Sequence, residues 1–600
     1  MRSRIILPVN LMIRGPVMTA GNSFSRWGMD SSCYRDWKQD FAIPGSHVRG
    51  KLHEAMKALQ ADNFIKLAHI KLFFGEQSSE DDEKSYDPIR GILKVTDFVF
   101  LESNASEDRN KLRSRTRIEN ESGTAVSGSL RSIESPFVTG EETWWQGKVE
   151  FFAGDDKEQL IKSLKAAFCF ITTIGAEKTV GFGRLEKINF GTCHTPVSNL
   201  NISDIAGEIS GINLALSPQE PILIGGTRQT ENIFFSGSII PGSAIKGAFA
   251  AGLNRIVGGN LNAPIDENHE LKNDYPQLIK NFTALRFIHA VPSLSPYIRT
   301  DTIPLSGASY GGRYKDVAFV EDETAIYSEG SKPVEFQVDW KKPPENLPER
   351  HRAPSLEYHS VTRTAIEENT RRADDSKLYS FHMVNPTISC KENSGTGKLF
   401  WNTKIIFPEI MTGKDKKEIT TEIRQILPDA LCYIGKRQSI TDIQVVPEIK
   451  PATQIPATEI SFAIVLQTPA IILNPFDLMK NSSDLFDDKN FLKEKYEKFW
   501  KKLLGEEVIL KRFFASQELQ GGYLGMRYGK AGYNPFYLTS KGSTFVFSKN
   551  SMAFQKASKL VETGLPLPEW TEEKYGRTWQ TCPFVPENGY GEVKINIKEK

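Results

Sequence analysis

The sequence predicts an α+β protein of two tandem ferredoxin-like units with long insertions. Three observations carry that prediction. The same phrase occurs twice, as Ile43-Pro44-Gly45-Ser46-His47-Val48-Arg49-Gly50 and as Ile240-Pro241-Gly242-Ser243-Ala244-Ile245-Lys246-Gly247. After each copy the apolar residues keep helical spacing, Val48, Leu52, Met56 and Leu59 in one and Ile245, Phe249, Leu253 and Ile256 in the other, which argues for a duplicated unit. A Gly-aromatic-Gly turn leading into a strand then closes each unit, Gly181-Phe182-Gly183 and Gly589-Tyr590-Gly591.

The first unit is expected over residues 1–195. Alternating apolar residues predict a strand at Ile5 to Ile13, and the repeated phrase then opens a helix with Ser46 in the N-cap place. Further strands are expected at Ile92 to Phe100 and at Gly147 to Phe152. A helix at Asp155 to Phe170 has Asp155 or Asp156 as N-cap and buries Leu160, Ile161, Leu164 and Phe168. The turn at Thr179 to Leu185 leads into a last strand, Leu185 to Phe190. Strand-helix-strand-strand-helix-strand is the ferredoxin-like order, a four-stranded sheet with two helices on one face. A polar excursion over 76–140 interrupts this unit, and 196–205 reads as a linker.

The second unit is expected to fill 206–600. Asn213 to Gly225 repeats the first strand and Leu285 to Val291 is another. Residues from about 292 to 386 are rich in Pro, Gly and charge and read as an irregular insertion. Ile460 to Leu473 reads as an apolar strand pair and Phe486 to Leu504 as a charged helix. Thr544 to Phe547, a helix near Ser551 to Thr563, and a strand after Gly591 complete the unit.

Six hundred residues exceed a single core. An apolar content of 39% and a charged content of 25% are those of an ordinary soluble globular protein. The 75 basic and 74 acidic residues leave a formal charge of +1, so nucleic-acid binding must come from local stripes or from a larger assembly. Six scattered cysteines without a Cys-x-x-Cys pair fit a reducing compartment and give no zinc signature. Residues Arg4 to Val17 are too short a stretch, interrupted by Asn10 and Arg14, for a signal peptide or membrane span. A cytoplasmic location without a membrane partner is expected.

Local chemistry singles out four places. The stretch from Gly21 to Ile43 is 22 positions long against 14 from Gly226 to Ile240, and the extra length holds Asp30, Asp36 and Asp40. A loop carboxylate beside an RNA backbone can recruit a divalent cation or position a 2′-hydroxyl; otherwise it is a solvated aspartate. Arg109, Lys111, Arg113, Arg115 and Arg117 alternate, which puts five cations on one face of an extended segment. Such a stripe suits an RNA backbone, or is a charged loop. The helix starts with Ser46, His47, Arg49 and Lys51, and with Ser243 and Lys246, are candidate phosphate sites, with His47 a helix-start residue before it is an acid or base. Gly181 and Gly183 allow close backbone approach to phosphates. Trp144 and Trp145 are read as core rather than as base-stacking rings.

These residues resemble the RAMP superfamily of CRISPR-associated proteins, whose fold is also called RRM-like. The first unit looks like the backbone subunit of type III effectors of the Csm and Cmr kind. The resemblance lies in Pro44 to Gly50, with Arg49 in the Lys place; in Gly181-Phe182-Gly183-Arg184; in Thr116 to Ala125; and in Met29-Asp30-Ser31-Ser32 to Asp36, where Ser32 and Cys33 replace the usual Pro-Val. The second unit is more similar to Csx and Cmr proteins that hold the crRNA 5′ tag, through Leu466 to Leu473 and Lys541 to Phe547, and Thr362 to Ile366 echoes a family segment. The resemblance implies a subunit of a III-D-like effector. Its partners would be crRNA, target RNA, other RAMP backbone subunits and a polymerase-like large subunit. It implies an endoribonuclease cutting target RNA at Asp30 with a divalent cation, Mg2+ or Mn2+, held there. The 76–140 excursion becomes a thumb that splays a nucleotide, and the second unit a cap over the tag with Ser243, Lys246 and Gly589, Tyr590 and Gly591 near it. Alternatives within the resemblance are a tandem backbone subunit, a non-catalytic scaffold, and a repeat-processing ribonuclease, which the lack of a placed catalytic His disfavours.

Overall fold

The computed structural model describes residues 1–21, 29–76, 89–104, 109, 111–196, 210–225, 228–230, 232–261, 263–329, 332–336, 344, 346–366, 373–390, 395–447, 461–480, 490–522, 535–548, 550–576 and 579–597. Most of the expected linker at 196–205 lies outside them. Helices and mainly antiparallel sheets make an α+β protein.

Strand β1 (Ser3–Arg14) is followed by helix α1 (Gly45–Ala61), β2 (Phe98–Ser103), the hairpin β3 (Leu112–Arg115) and β4 (Arg131–Glu134), β5 (Glu142–Ala153), α2 (Lys157–Phe170) and β6 (Arg184–Phe190). The sheet order is β6-β1-β5-β2, and β1 pairs with β5 along its whole length, from Ser3↔Ala153 to Arg14↔Glu142. Alternation sends Ile5, Leu7, Val9, Leu11 and Ile13 into one core with Val48, Leu52 and Met56 of α1 and Leu160, Leu164 and Phe168 of α2. The expected strand at Ile92 to Phe100 is split. Lys94–Val95 pairs with β5, the ladder breaks at Thr96 and Asp97, and β2 resumes at Phe98. The break frees the Asp97 carboxylate to accept from the Gly45 N–H and the Tyr34 hydroxyl, at 2.7 and 2.8 Å.

The described part of residues 206–600, expected as one unit, divides into two units with separate main cores. The first comprises β7 (Gly211–Pro218), α3 (Gly242–Ile256), the two short strands β8 (Arg286–Phe287) and β9 (Val291–Ser293), the hairpin β10 (Tyr358–Ile366) and β11 (Ala373–Val384), β12 (Phe400–Ile406), α4 (Gly413–Ala430) and β13 (Ser439–Val446). Here β12 lies between β8 and β7, β13 follows β7, and Tyr433–Ile434 pairs at the far edge. The second comprises β14 (Phe462–Leu466), α5 (Phe491–Leu504), β15 (Leu510–Phe514), β16 (Thr544–Phe547), α6 (Ser551–Thr563) and β17 (Val593–Ile597), in the order β15-β16-β14-β17. Four short strands and two helices cannot bury the apolar residues of nearly 400, so the chain closes two cores.

Two local expectations change. Of the expected pair Ile460 to Leu473, Ile460 lies outside the described residues; the rest holds one strand, β14, and a turn, and Ala470 to Leu473 are buried without becoming a second strand. The insertion at 292–386 contains the regular hairpin β10–β11, because Val361, Phe381 and Met383 alternate onto one buried face.

The first two units share charged and aromatic contacts. In β5, Phe151 enters its own core, while Glu150 and Phe152 face the second unit, where Phe152 joins the other core. The Glu150 carboxylate accepts from Arg4 at 2.6 Å and from the Tyr433 hydroxyl at 3.1 Å, and pairs with Lys148 at 2.9 Å. Arg255 lies over the Tyr433 ring at 4.9 Å. Between the second and third units, Arg299 holds the buried Glu592 with both guanidinium nitrogens, at 2.7 and 2.8 Å.

Burial pushes the Glu150 carboxyl up, but Arg4 and Lys148 outweigh it and hold the group below its ordinary 4.5. Its stabilisation is therefore complete above that value and fades as pH falls through the lower folded value. Glu150→Ala leaves buried guanidinium groups without a counter-ion and should cost about 3–5 kcal/mol in urea unfolding at pH 7. The deficit should shrink in acid; an equal deficit at pH 3 would show that the charge is not what matters.

Candidate nucleic-acid interface

The repeated phrase starts both helices, but Pro44 and Pro241 are the N-caps, and neither Ser46 nor Ser243 caps with its side chain. Glycine follows each proline for a packing reason. A β-carbon on Gly45 would overlap the carbonyl oxygen of Val95, and one on Gly242 that of Phe287. The first helical N–H is also taken in each copy. Gly45 donates to Asp97, and Gly242 donates to His289 Nδ1 at 3.2 Å. Burial pushes His289 down to about 3, so it stays a neutral acceptor. In each copy the first helical N–H is therefore taken from within the chain.

The basic residue of the phrase has the same job in both copies. Arg49 donates to the Phe74 carbonyl at 3.2 Å and lies over the Phe74 ring. Lys246 donates to the Thr283 and Leu285 carbonyls at 2.8 and 2.9 Å, and burial pushes its ammonium down to about 8. Each ties the start of a helix to the segment that follows it. His47 Nε2 accepts the Gly175 N–H at 3.0 Å, and burial, with Lys178 and Lys51 nearby, lowers it to about 4. His47 therefore holds the loop before β6. Lys51 pairs with Glu54 at 2.6 Å.

The glycine turns are also packing turns. Phe182 is 1% exposed and belongs to the core, so its ring is closed to bases. Gly183 donates to the Pro16 carbonyl and Gly181 to that of Lys178, although Gly181 is itself exposed. Arg184 is exposed, 3.5 Å from Glu186. Gly589 and Gly591 have positive φ, and Gly589 packs against His289 at the start of α3. Tyr590 meets the His289 ring edge-on at 4.8 Å. The Gly589 turn thus meets the start of α3 through Gly242 and His289. Trp145 is core.

The basic stripe divides. Arg109 is drawn inward to Glu141 at 2.6 Å and lies over Phe100 and Phe137. Arg113 and Arg115 lie over Phe182 at 5.5 and 4.9 Å, and Arg115 pairs with Glu177. Lys111 is half-buried and Arg117 exposed. The hairpin therefore leans on the Gly-Phe-Gly turn through Arg113 and Arg115, and Arg113 and Arg117 remain exposed.

Asp30 sits at the foot of this hairpin. Its N–H donates to the Ser132 carbonyl, and its Oδ2 accepts the Ser132 N–H at 2.6 Å. Ser132 faces Ser114 across β3–β4, between Arg113 and Arg115, and Arg131 is exposed beside it. The Asp30 residue is exposed, so the second carboxylate oxygen faces solvent. Of the other loop acids, Asp36 is buried, raised by that burial, and accepts from the Lys38 and Asp40 N–H groups. Among the described residues no three of His, Cys, Asp and Glu gather as a metal-ligand set. A cation at Asp30 would have one protein oxygen and would complete its shell with phosphate oxygens and water, as Mg2+ commonly does.

The sequence reading named Ser46 and Arg49 but not the basic surface that they line. A cleft of about 870 Å³ opens between the first and second units. Arg49, Lys57 and Arg90 line it from one side and Arg363, Lys436 and Arg437 from the other, with Ser46, Tyr379 and Phe381. Glu76, the acid of this lining, pairs with Lys71. Burial and then Arg437 lower Arg363, as expected for neighbouring cations that an anion would relieve. Lys436 and Arg437 lie in the turn between α4 and β13, the place that Gly181 to Gly183 hold between α2 and β6. Counting turns before each closing strand would have found them.

Arg113→Ala with Arg117→Ala should weaken single-stranded RNA binding and flatten its salt dependence, by about 0.7 in slope per lost phosphate contact. Arg109→Ala should leave that slope unchanged and lower the melting temperature instead. A flattened slope for Arg109→Ala alone would reverse these assignments.

Among the described residues no helix is long and apolar enough to cross a membrane. No curated protein matches the chain. A chain in the cryo-EM structure of the Type III-B Cmr-beta bound to cognate target RNA is similar at 10% identity, over 31% of this chain and 96% of that one, with a TM-score of 0.24. Residues 11–186, from within β1 to the start of β6, match the RAMP superfamily.

Proposed function

We propose that this chain is a subunit of a type III CRISPR RNA-guided effector, which binds crRNA and cleaves complementary target RNA in its first unit. Each of the three units is read as ferredoxin-like, RRM-like, in tandem. The carrying observation is the Asp30 carboxylate, pinned through one oxygen by the Ser132 N–H at the foot of a hairpin bearing Arg113, Arg117 and Arg131. The RAMP match over the same unit supports it.

In this reading Arg113, Arg117 and Arg131 hold backbone phosphates beside the hairpin. Asp30 orients the nucleotide at the hairpin's foot, its fixed oxygen setting the direction of the free one. A divalent cation, Mg2+ or Mn2+, would be held by that free oxygen and supply Lewis-acid stabilisation of the scissile phosphate. The basic cleft between the first two units carries the guide strand. Residues 206–600 hold the crRNA 5′ tag, and other backbone subunits and a polymerase-like large subunit complete the assembly.

A second reading makes the chain a tandem backbone subunit. It is favoured by residues 211–446, which repeat the helix phrase, the strand order and a long hairpin of the first unit. The β10–β11 hairpin seats Val361 and Met383 on Tyr34 and Ala42 of that unit.

In the assembled complex, Asp30→Asn should abolish one metal-dependent cut, at least a hundredfold in rate, with crRNA and target affinity within about twofold of wild type. Undiminished cutting at every position would leave a scaffold. Cross-linking from a photoreactive nucleotide in the 5′ tag should label 206–600 rather than 1–195. Labelling of that region only from mid-guide nucleotides would select the tandem backbone.

A further inference from the structure

The β10–β11 hairpin belongs to a four-stranded sheet, in the order Arg228–Thr230, Ile233–Phe235, β11, β10. Successive side chains leave it on opposite faces. One face carries Val361, Arg363, Tyr379, Phe381 and Met383, and it packs on the first unit and lines the basic cleft. The other carries Tyr358, Ser360, Thr362, Ser380, His382 and Phe235, and at these positions it has no charge.

Two rings on that outer face are parallel and a third is tilted beside them. Tyr358 and His382 stack with centroids 4.7 Å apart and planes within 5°. Phe235, opposite His382 in the neighbouring strand, lies 5.0 Å from it. Ser360 Oγ is 2.7 Å from His382 Nδ1, which fixes the imidazole in the row. Tyr358 remains 41% exposed, and Leu378 and Ile233 flank the row at 58% and 37%. Planar rings and hydroxyls without charge, in a protein where a quarter of the residues are charged, suit a flat uncharged partner. A nucleobase is such a partner: every base has a π-face to stack, and hydroxyls can meet its edges.

The cations such a strand needs lie just across the edge. Arg363 is in the edge strand β10, one residue from Thr362, and points to the cleft side with Arg437 and Lys436. Phosphates held in the cleft would let the chain pass over β10 and lay its bases on the rings. We propose that the outer face of this sheet is a stacking platform for unpaired bases of single-stranded RNA, with Tyr358 and His382 as its rings. It rests on the RNA-binding part of the function proposed above, and not on cleavage.

The test uses the full chain and a single-stranded RNA carrying 2-aminopurine, titrated at several salt concentrations. Wild type should quench the 2-aminopurine fluorescence. Tyr358→Ala with His382→Ala should relieve the quenching and weaken binding about tenfold, with an unchanged salt slope. Tyr358→Phe should keep both, and Arg363→Ala should flatten the slope while quenching persists. Thermal melting of each variant separates loss of stacking from loss of folding, and Tyr358→Ala alone serves if the double variant melts early. Binding by wild type without quenching overturns the platform and leaves the Asp30 reading standing. Quenching with cleavage indifferent to Asp30→Asn does the reverse. If Tyr358→Ala disrupts association with protein subunits but not RNA binding, the face is a protein contact and the proposal fails.

Discussion

Gly45 and Gly242 place a helix start directly against a backbone carbonyl, and the surrounding architecture is arranged around that approach. With no β-carbon in the way, the helix can seat its first N–H on an acceptor two residues beyond the carbonyl it abuts, Asp97 after Val95 and His289 after Phe287. The basic residue four positions on then reaches the next turn, Arg49 to Phe74 and Lys246 to Leu285. Helix, strand and connection are tied together by these bonds. A side chain at either glycine would have to push the helix off the sheet, with loss of every contact that follows.

The same close approach organises the junctions between units. The Gly589 turn of the third unit packs where Gly242 meets His289, and the Lys436–Arg437 turn of the second lines the cleft beside Gly45 and Ser46. The turn before a closing strand thus lies near the helix start of the unit before it. Glu150 and Phe152 add a contact through the back of the first sheet, where a two-residue period in β5 divides neighbours between different cores. A chain with almost no net charge can in this way collect cations from two units into one cleft, where local field matters more than formal charge.

The repeats, the strand periods and the two main helices of the first unit were legible in the sequence because they depend on local spacing. Leu160, Leu164 and Phe168 had to share a face whatever lay beneath it. Asp30 was legible as an acidic loop residue, but its carboxylate acquires a direction only from Ser132, about a hundred residues away. The alternating cations from Arg109 to Arg117 gave no sign that Arg109 turns inward, because Glu141 and Ser103 are brought to it by the sheet.

By itself, then, the sequence determined the α+β class, the duplicated helix starts and the acidic and basic character of the loops near Asp30 and Arg113. These follow from periodicity, turn chemistry and composition, which act over a few residues. Tertiary structure decided that 206–600 closes two main cores, that the first N–H of each repeated helix meets an acceptor within the chain, and that Arg363, Lys436 and Arg437 face Arg49 across a cleft. Each of those outcomes is a pairing between residues far apart in the chain. Spacing along a strand or helix fixes which face a residue occupies, but only packing fixes what that face meets.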